Sequence, residues 1–352
     1  MKAWRLDHPG GTLQFLDVPE PQPRPGAVVV RLQASPLLSY LKTFVAGGLE
    51  GYHPPPGPFT PGTNGIGVIA ETGSDVYGLE PGQPVMLSPH VVANENVPEP
   101  AEALLALTAE PPSAALLANW PDGTLAEFAV APAMAVTPIP AALRDTAPAT
   151  LAAISRCTVP YGGLLRSRLS AGQTVIIHGA TGAFGSAAVS VALAMGAARV
   201  VAAGRNADVL DRLGELPRVY PVRMSGERAA DTQALRDAAG GGADCALDII
   251  GRADSSAGTL AVLDALGREG RLVLMGSMTA PLELNYADLL RTGREVLGTF
   301  MYPPPAPLRL LKLVAAGQLD LARIPVTTYP LAKLMTAMDE AERPGADLIV
   351  MT

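Results

Sequence analysis

The stretch Val175-Ile176-Ile177-His178-Gly179-Ala180-Thr181-Gly182-Ala183-Phe184-Gly185 constrains this chain more than any other. An apolar run stops at closely spaced glycines, and a small-residue helical pattern from Ser186 to Met195 follows at once. That order predicts a strand, a tight turn and a helix whose N-terminus faces a pyrophosphate. The unpaired N–H groups of a helix start, and the positive end of its dipole, suit a phosphate diester. A dinucleotide seated on this turn is the expectation from which the other readings follow.

At 352 residues, two domains are expected. A hydrophobic content of 48% with positive mean hydropathy excludes disorder as the main state. No apolar run reaches membrane-spanning length, and Met1-Lys2-Ala3-Trp4 is not expected to begin a signal peptide. A net charge of −7 counts against a nucleic-acid partner, which needs a basic face. Cys157 and Cys245 are too few for a disulfide framework or a four-thiolate zinc site, which points to a cytoplasmic setting.

The first part of the chain reads as short strands and turns: Ala27–Leu32, Gly65–Ala70, Gln83–Leu87 and Leu125–Val130. Ala93 to Asp122 reads as a long surface excursion. From about residue 145 strands and helices alternate. Strands are expected at Thr174–His178, Arg199–Ala203, Val219–Val222, Cys245–Ile249, Arg271–Met275 and Val296–Met301, with Gly267–Gly270 as the turn before the fifth. The alternation demands a parallel sheet covered on both faces. After Pro303-Pro304-Pro305 come two helices, Pro307–Ala316 and Leu331–Ala341, and a last strand, Leu348–Met351.

Three ordered motifs carry a resemblance that spans essentially the whole chain. They are Pro61-Gly62-Thr63-Asn64-Gly65-Ile66-Gly67, Gly123-Thr124-Leu125-Ala126-Glu127-Phe128, and the Gly179-x-x-Gly182-x-x-Gly185 turn. Together they resemble the medium-chain dehydrogenase/reductase superfamily, and the glycine spacing is similar to its zinc-independent, quinone-oxidoreductase-like branch. The resemblance implies an α/β fold. A Rossmann domain (151–299) with a doubly wound six-stranded parallel sheet is flanked in sequence by a mostly β GroES-like catalytic domain (1–150 and 300–352).

It also implies a nicotinamide coenzyme, and the residues bear on which one. Rossmann domains read the adenosine ribose at the end of the second strand. Here that strand runs into Gly204-Arg205-Asn206, with no carboxylate to hold a free 2′-hydroxyl. Gly204 leaves room, Arg205 offers a planar cationic fork and Asn206 an amide donor, which favours NADP(H). A solvated loop arginine is the ordinary alternative. Thr181, Gly182, Ala183 and Phe184 are expected on the pyrophosphate, Phe184 through its backbone, and Ser225 near the adenosine phosphate. Ile249 and Ile250, Met275 with Gly276 and Ser277, and Thr299 with Phe300 and Met301 are the segments that line ribose and nicotinamide in relatives.

Zinc-dependent relatives place a Cys, a His-Glu pair and a further Cys or Asp where this chain has Leu37 or Leu38, Thr63-Asn64 and Ser155. No metal is therefore expected, and His8, His53, His90 and His178 are too scattered to replace one. Hydride transfer without zinc needs hydrogen-bond donors on the substrate oxygen. Ser39, Tyr40, Lys42 and Asn64 are the candidates. Tyr40 could donate as a neutral phenol or pack its ring under the loop, and Lys42 could face phosphate or solvent. Leu37, Leu38, Phe44, Val45, Tyr52, Phe59, Trp120 and Met301 are either an apolar pocket or ordinary core.

These readings give a zinc-independent NADP(H)-dependent oxidoreductase for a hydrophobic carbonyl, quinone, enone or otherwise activated C=C substrate. The alternatives are a zinc-free alcohol dehydrogenase and an NADPH-binding protein without turnover. The apolar sixth strand at a sheet edge suggests a homodimer.

Overall fold

Apolar runs with small residues between Thr174 and Gly298 leave no face for water, so they form a sheet covered on both sides. In a computed structural model, residues 1–251, 253–343 and 347–352 are described. Two units emerge: Met1–Ser155 with Pro307–Ala315 and Leu321–Thr352, and Arg156–Ala306 with Ala316–Asp320.

The second unit holds six strands: β1 (Thr174–His178), β2 (Arg199–Gly204), β3 (Val219–Arg223), β4 (Ala243–Asp248), β5 (Leu266–Leu274) and β6 (Glu295–Gly298). They lie parallel in the order β3-β2-β1-β4-β5-β6. This is the doubly wound arrangement, and the order reverses between β1 and β4. Ile176, Val201, Ala246 and Leu272 join Leu235 and Ala261 from two helices in a sealed core. Asn206 caps the helix Ala207–Gly214 by accepting from the Val209 N–H, and left-handed Gly240 ends the helix Arg228–Ala239.

Two expectations shift here. Gly267–Gly270 is not a turn before β5 but lies inside it. Pairing with β4 jumps from Ala243↔Leu266 to Cys245↔Arg271, and Glu269 takes a positive φ of 59°, so the surplus residues bulge out of the ladder. β6 stops at Gly298, because Thr299 makes one more bond to Leu274 O and Met301 then turns at φ 50°.

In the first unit, seven strands form one sheet. Val326–Tyr329, Leu348–Met351, Ala27–Pro36, Gly65–Thr72, Pro84–Leu87 and Val136–Pro138 follow in spatial order, and Phe128–Pro132 also pairs with Ala27–Pro36. Antiparallel pairing of Val350 with Pro36 and Met351 with Ser35 ties the end of the chain to its beginning. The strand expected at Leu125–Val130 begins instead at Phe128. The residues before it serve other partners: Leu125 N–H bonds Pro61 O, and Ala126 bridges Ala3.

The segment 93–122 corrects a larger expectation. His90–Val92 and Glu102–Leu104 form a two-stranded sheet, and a short helix covers Ala114–Asn119. Leu105 and Trp120 are buried in the main core of the unit with Val28, Ile69 and Val85, and Leu117 in a small core with Ala103 and Ala109. The Arg24 guanidinium stacks 3.8 Å from the Trp120 ring centre. This is a packed lobe rather than a surface excursion. Trp120→Ala should therefore cost about 3–5 kcal/mol, the range for emptying a buried aromatic site, in chemical denaturation. A loss under about 1 kcal/mol would return the lobe to the surface.

Candidate functional site

The glycine turn is built from close approaches that only hydrogen allows. Gly179 sits at φ 90°, and a Cβ on Gly185 would lie 1.9 Å from Gly179 O. The helix Ala183–Ala194 thus starts directly over the end of β1, with Gly182 as its cap and no side chain competing for its first N–H groups. Those of Ala183, Phe184 and Gly185 have no acceptor within the helix. Gly182 and Ala183 are exposed and the Phe184 ring is half-buried, as a backbone anion cradle requires. The Thr181 side chain fits under Gly204, where a Cβ would stand 2.5 Å from its Cγ2. Turn and β2 end are locked together by that contact.

At the β2 end, Arg205 is exposed and has no ion-pair partner among the described residues. Asn206 differs from expectation in one respect. Its carbonyl oxygen accepts from the Val209 N–H as the helix cap, so only the NH2 edge remains for a ligand. Ser225 differs more. Its N–H and hydroxyl both donate to the buried Asp231 carboxylate at 2.7 Å, and its oxygen accepts from Glu227. The Ser225 hydroxyl shapes the turn after β3 and is spent. A residue missed in the sequence stands nearby: exposed Arg223 pairs in register with Gly204. Only the β2–β3 register brings the two basic residues to one edge, although the position at the end of the third strand was a usable signal.

The remaining segments gather at the same edge through main-chain bonds. Ile249 N–H bonds His178 O, Met275 N–H bonds Asp248 O, and Ser277 N–H bonds Ile250 O. Gly276 is required there, since a Cβ would meet Ile250 O at 2.2 Å. Thr299 follows β6 through its bond to Leu274, and Phe300 is exposed. Met301 holds its left-handed turn against the helix Ser155–Arg166, where a Cβ on Gly162 would lie 2.2 Å from Met301 O.

The expected catalytic residues lie in the first unit. Ser39 is exposed, and Tyr40 caps the short helix Leu41–Val45 half-buried, its ring edge-on to Tyr52 at 6.5 Å. Burial first, and then the Tyr52 hydroxyl, push the Tyr40 phenol above its usual range, so it stays neutral. Lys42 is exposed and pairs at the surface with Asp339 at 2.9 Å and Glu342 at 3.0 Å. Asn64 is buried beside Thr63. Its NH2 group donates to Thr63 Oγ1 at 3.1 Å, and its buried carbonyl oxygen has no partner. Of the expected pocket wall, Leu37, Phe44, Phe59 and Trp120 are core.

The donor set does not fit a catalytic zinc. Thr63 and Asn64 offer a hydroxyl and an amide rather than the imidazole, thiolate or carboxylate that catalytic zinc takes, and Cys157 is fully buried, its thiol pushed up to about 12 by burial. Among the described residues no group of three or more His, Cys, Asp or Glu could hold a metal.

Comparison with known proteins gives two domain matches: residues 24–141 match the alcohol dehydrogenase GroES-like domain, and 183–316 the zinc-binding dehydrogenase domain. Over 241 residues the chain is 33% identical to a mycocerosic acid synthase-like polyketide synthase of Mycobacterium tuberculosis, covering 64% of this chain and 11% of that protein. It thus spans about a ninth of the length of that relative. A protein provisionally named alcohol dehydrogenase D, also from Mycobacterium tuberculosis, is 27% identical over 365 residues and 92% of both chains. Alcohol dehydrogenase TADH from Thermus sp. ATN1 shares the fold, with a TM-score of 0.83 at 21% identity over 100% of this chain and 99% of that one.

Burial also pushes the Cys245 thiol up to about 11. Both cysteines should therefore ignore a thiol-reactive aromatic disulfide at pH 8 until denaturant is added. Rapid labelling of either in the native protein would contradict their placement.

Proposed function

The chain belongs to the medium-chain dehydrogenase/reductase superfamily of nicotinamide-dependent oxidoreductases, and we propose that it is a zinc-independent member that uses NADPH to reduce a hydrophobic carbonyl, quinone or conjugated double bond. The observation that carries the coenzyme preference is the pair Arg205 and Arg223 at the ends of β2 and β3, with no acid between Gly204 and the helix that follows. Two guanidinium forks match a 2′-phosphate and offer nothing specific to a free 2′-hydroxyl.

Bound NADPH supplies a hydride. The chain's own residues must then receive the negative charge that develops on the substrate oxygen. A well-placed donor is worth about 2.7–4 kcal/mol in that role. Tyr40 is the proton holder in this reading: its neutral phenol carries the proton at Oη and passes it to that oxygen, with Ser39 as a second donor beside it in sequence. The likeness to alcohol dehydrogenase D favours a second reading, an alcohol as substrate. An NADPH-binding protein without turnover is the remaining alternative.

Turnover against a quinone, an enone and a ketone, each with NADPH or NADH and a chelator present, tests the reading. NADPH should be preferred, and Arg205→Ala or Arg223→Ala should lower its kcat/KM about 10- to 100-fold while changing NADH less than about twofold. Preference for NADH, or loss of activity to the chelator, would overturn the matching part.

The same reading includes self-association. β6 ends the sheet with half-buried Val296 and Leu297, and an unpaired apolar edge suits its twin across a two-fold. Among the described residues no helix is long and apolar enough to cross a membrane; a cytoplasmic dimer is proposed. Gel filtration at micromolar concentration should give the dimer mass, and a monomer peak would contradict it.

A further inference from the structure

The strand Ala27–Pro36 of the first unit is paired along one edge by two strands in turn. Phe128–Pro132 holds residues 27–31, and Leu348–Met351 pairs with Ser35 and Pro36. Leu32, Gln33 and Ala34 belong to neither ladder. On the opposite edge Leu32 pairs with Gly67 and Ala34 with Ile66, so Gln33 is the surplus residue of a β-bulge. A cavity of about 410 Å³ opens at this break. Small-molecule sites span about 300–1,000 Å³, so the space suits a compact ligand. Every residue that lines it belongs to the first unit.

Backbone bonds fix its walls. The Glu127 N–H donates to Lys2 O at 3.0 Å, and the Lys2 N–H returns a bond to Glu127 Oε2 at 2.7 Å. Leu331 O accepts from the Trp4 indole at 2.8 Å, and the Leu331 N–H donates to Thr352 O at 3.0 Å. Phe15, Phe128, Leu331 and Met351 supply apolar lining, and the charged lining is Lys2, Arg31 and Glu127. Two cations against one carboxylate leave a surplus positive charge, on a chain whose net charge is −7. Lys2 is engaged by Asp17 at 2.6 Å, and Glu127 by the Lys2 N–H. The exposed Arg31 and Gln33 side chains bond no described residue. A guanidinium keeps its charge at every working pH, and its donor fork matches a carboxylate. One surplus charge beside Glu127 suits a monoanion and opposes a doubly charged phosphate. Aromatic lining suits a flat apolar body.

We propose that this cavity binds a small organic monocarboxylate with a flat apolar body, its carboxylate on Arg31 and Gln33 and its body against Phe15 and Phe128. The site shares no residue with the glycine turn or with Ser39 and Tyr40, and it does not rest on the coenzyme reading.

Calorimetric titration of the whole protein with 2-naphthoate, 2-naphthamide and 2-naphthylmethylamine provides the test, since the three share a ring system and differ in charge. The acid should bind about 10- to 100-fold more tightly than the amide, the span of a charge-assisted hydrogen bond, and the amine more weakly still. Arg31→Gln should lower the affinity for the acid by about that factor and leave the amide within about twofold. Excess NADP+ should not change the affinity for the acid, and a crystal grown with it should show its carboxylate on Arg31. Equal affinity for acid and amide, or no binding of the acid at millimolar concentration, overturns the proposal. Displacement of the acid by NADP+ also overturns it, by placing the acid at the coenzyme-facing edge, as does density for the acid away from Arg31. Where Arg31→Gln does not fold, the ratio of acid to amide in the unmodified protein and the crystal decide.

Discussion

The approach of Gly185 to the Gly179 carbonyl governs the second unit. With hydrogens in place of two side chains, the helix Ala183–Ala194 begins on top of the strand it follows, and its free N–H groups project from the sheet head. The neighbouring elements are set to the same height. Thr181 fits under Gly204, Gly276 admits the Ile250 carbonyl and Gly162 admits that of Met301. Each contact joins a loop at the carboxyl ends of the strands to a second loop or a helix, so the coenzyme-facing edge is a mesh of backbone bonds. Exposed basic side chains stand at it in Arg205 and Arg223.

In the first unit the organising contact is strand exchange between the two ends of the chain. Leu348–Met351 adds to Ala27–Pro36 through a short antiparallel register, and Val326–Tyr329 adds outside it in parallel. The lobe 93–122 holds its shape with Trp120 under Arg24 and Leu117 in a core of its own. Packing takes the place that ligated thiolates could fill in a lobe without enough apolar residues. Thr63 and Asn64 give this part of the unit polar, uncharged side chains, and burial keeps the Tyr40 phenol protonated.

The sequence made the glycine turn, the six strands and the basic end of β2 legible, because each depends on neighbours within a few residues. Arg223 was not legible, since its relation to Gly204 exists only through the β2–β3 register. The bonds from Ser225 to Asp231, six residues on, have no local signature, so the sequence shows only where Ser225 stands. The burial of the Asn64 carbonyl and its bond to Thr63 likewise come only from packing.

By itself, then, the order of residues determined the class of fold, the glycine turn and the basic end of β2, all of which are properties of periodicity, backbone freedom and formal charge. Tertiary structure decided which polar groups are already spent and which remain available. It joined His178 to Asp248 across seventy residues of chain, because burial and pairing depend on distances that sequence separation does not encode.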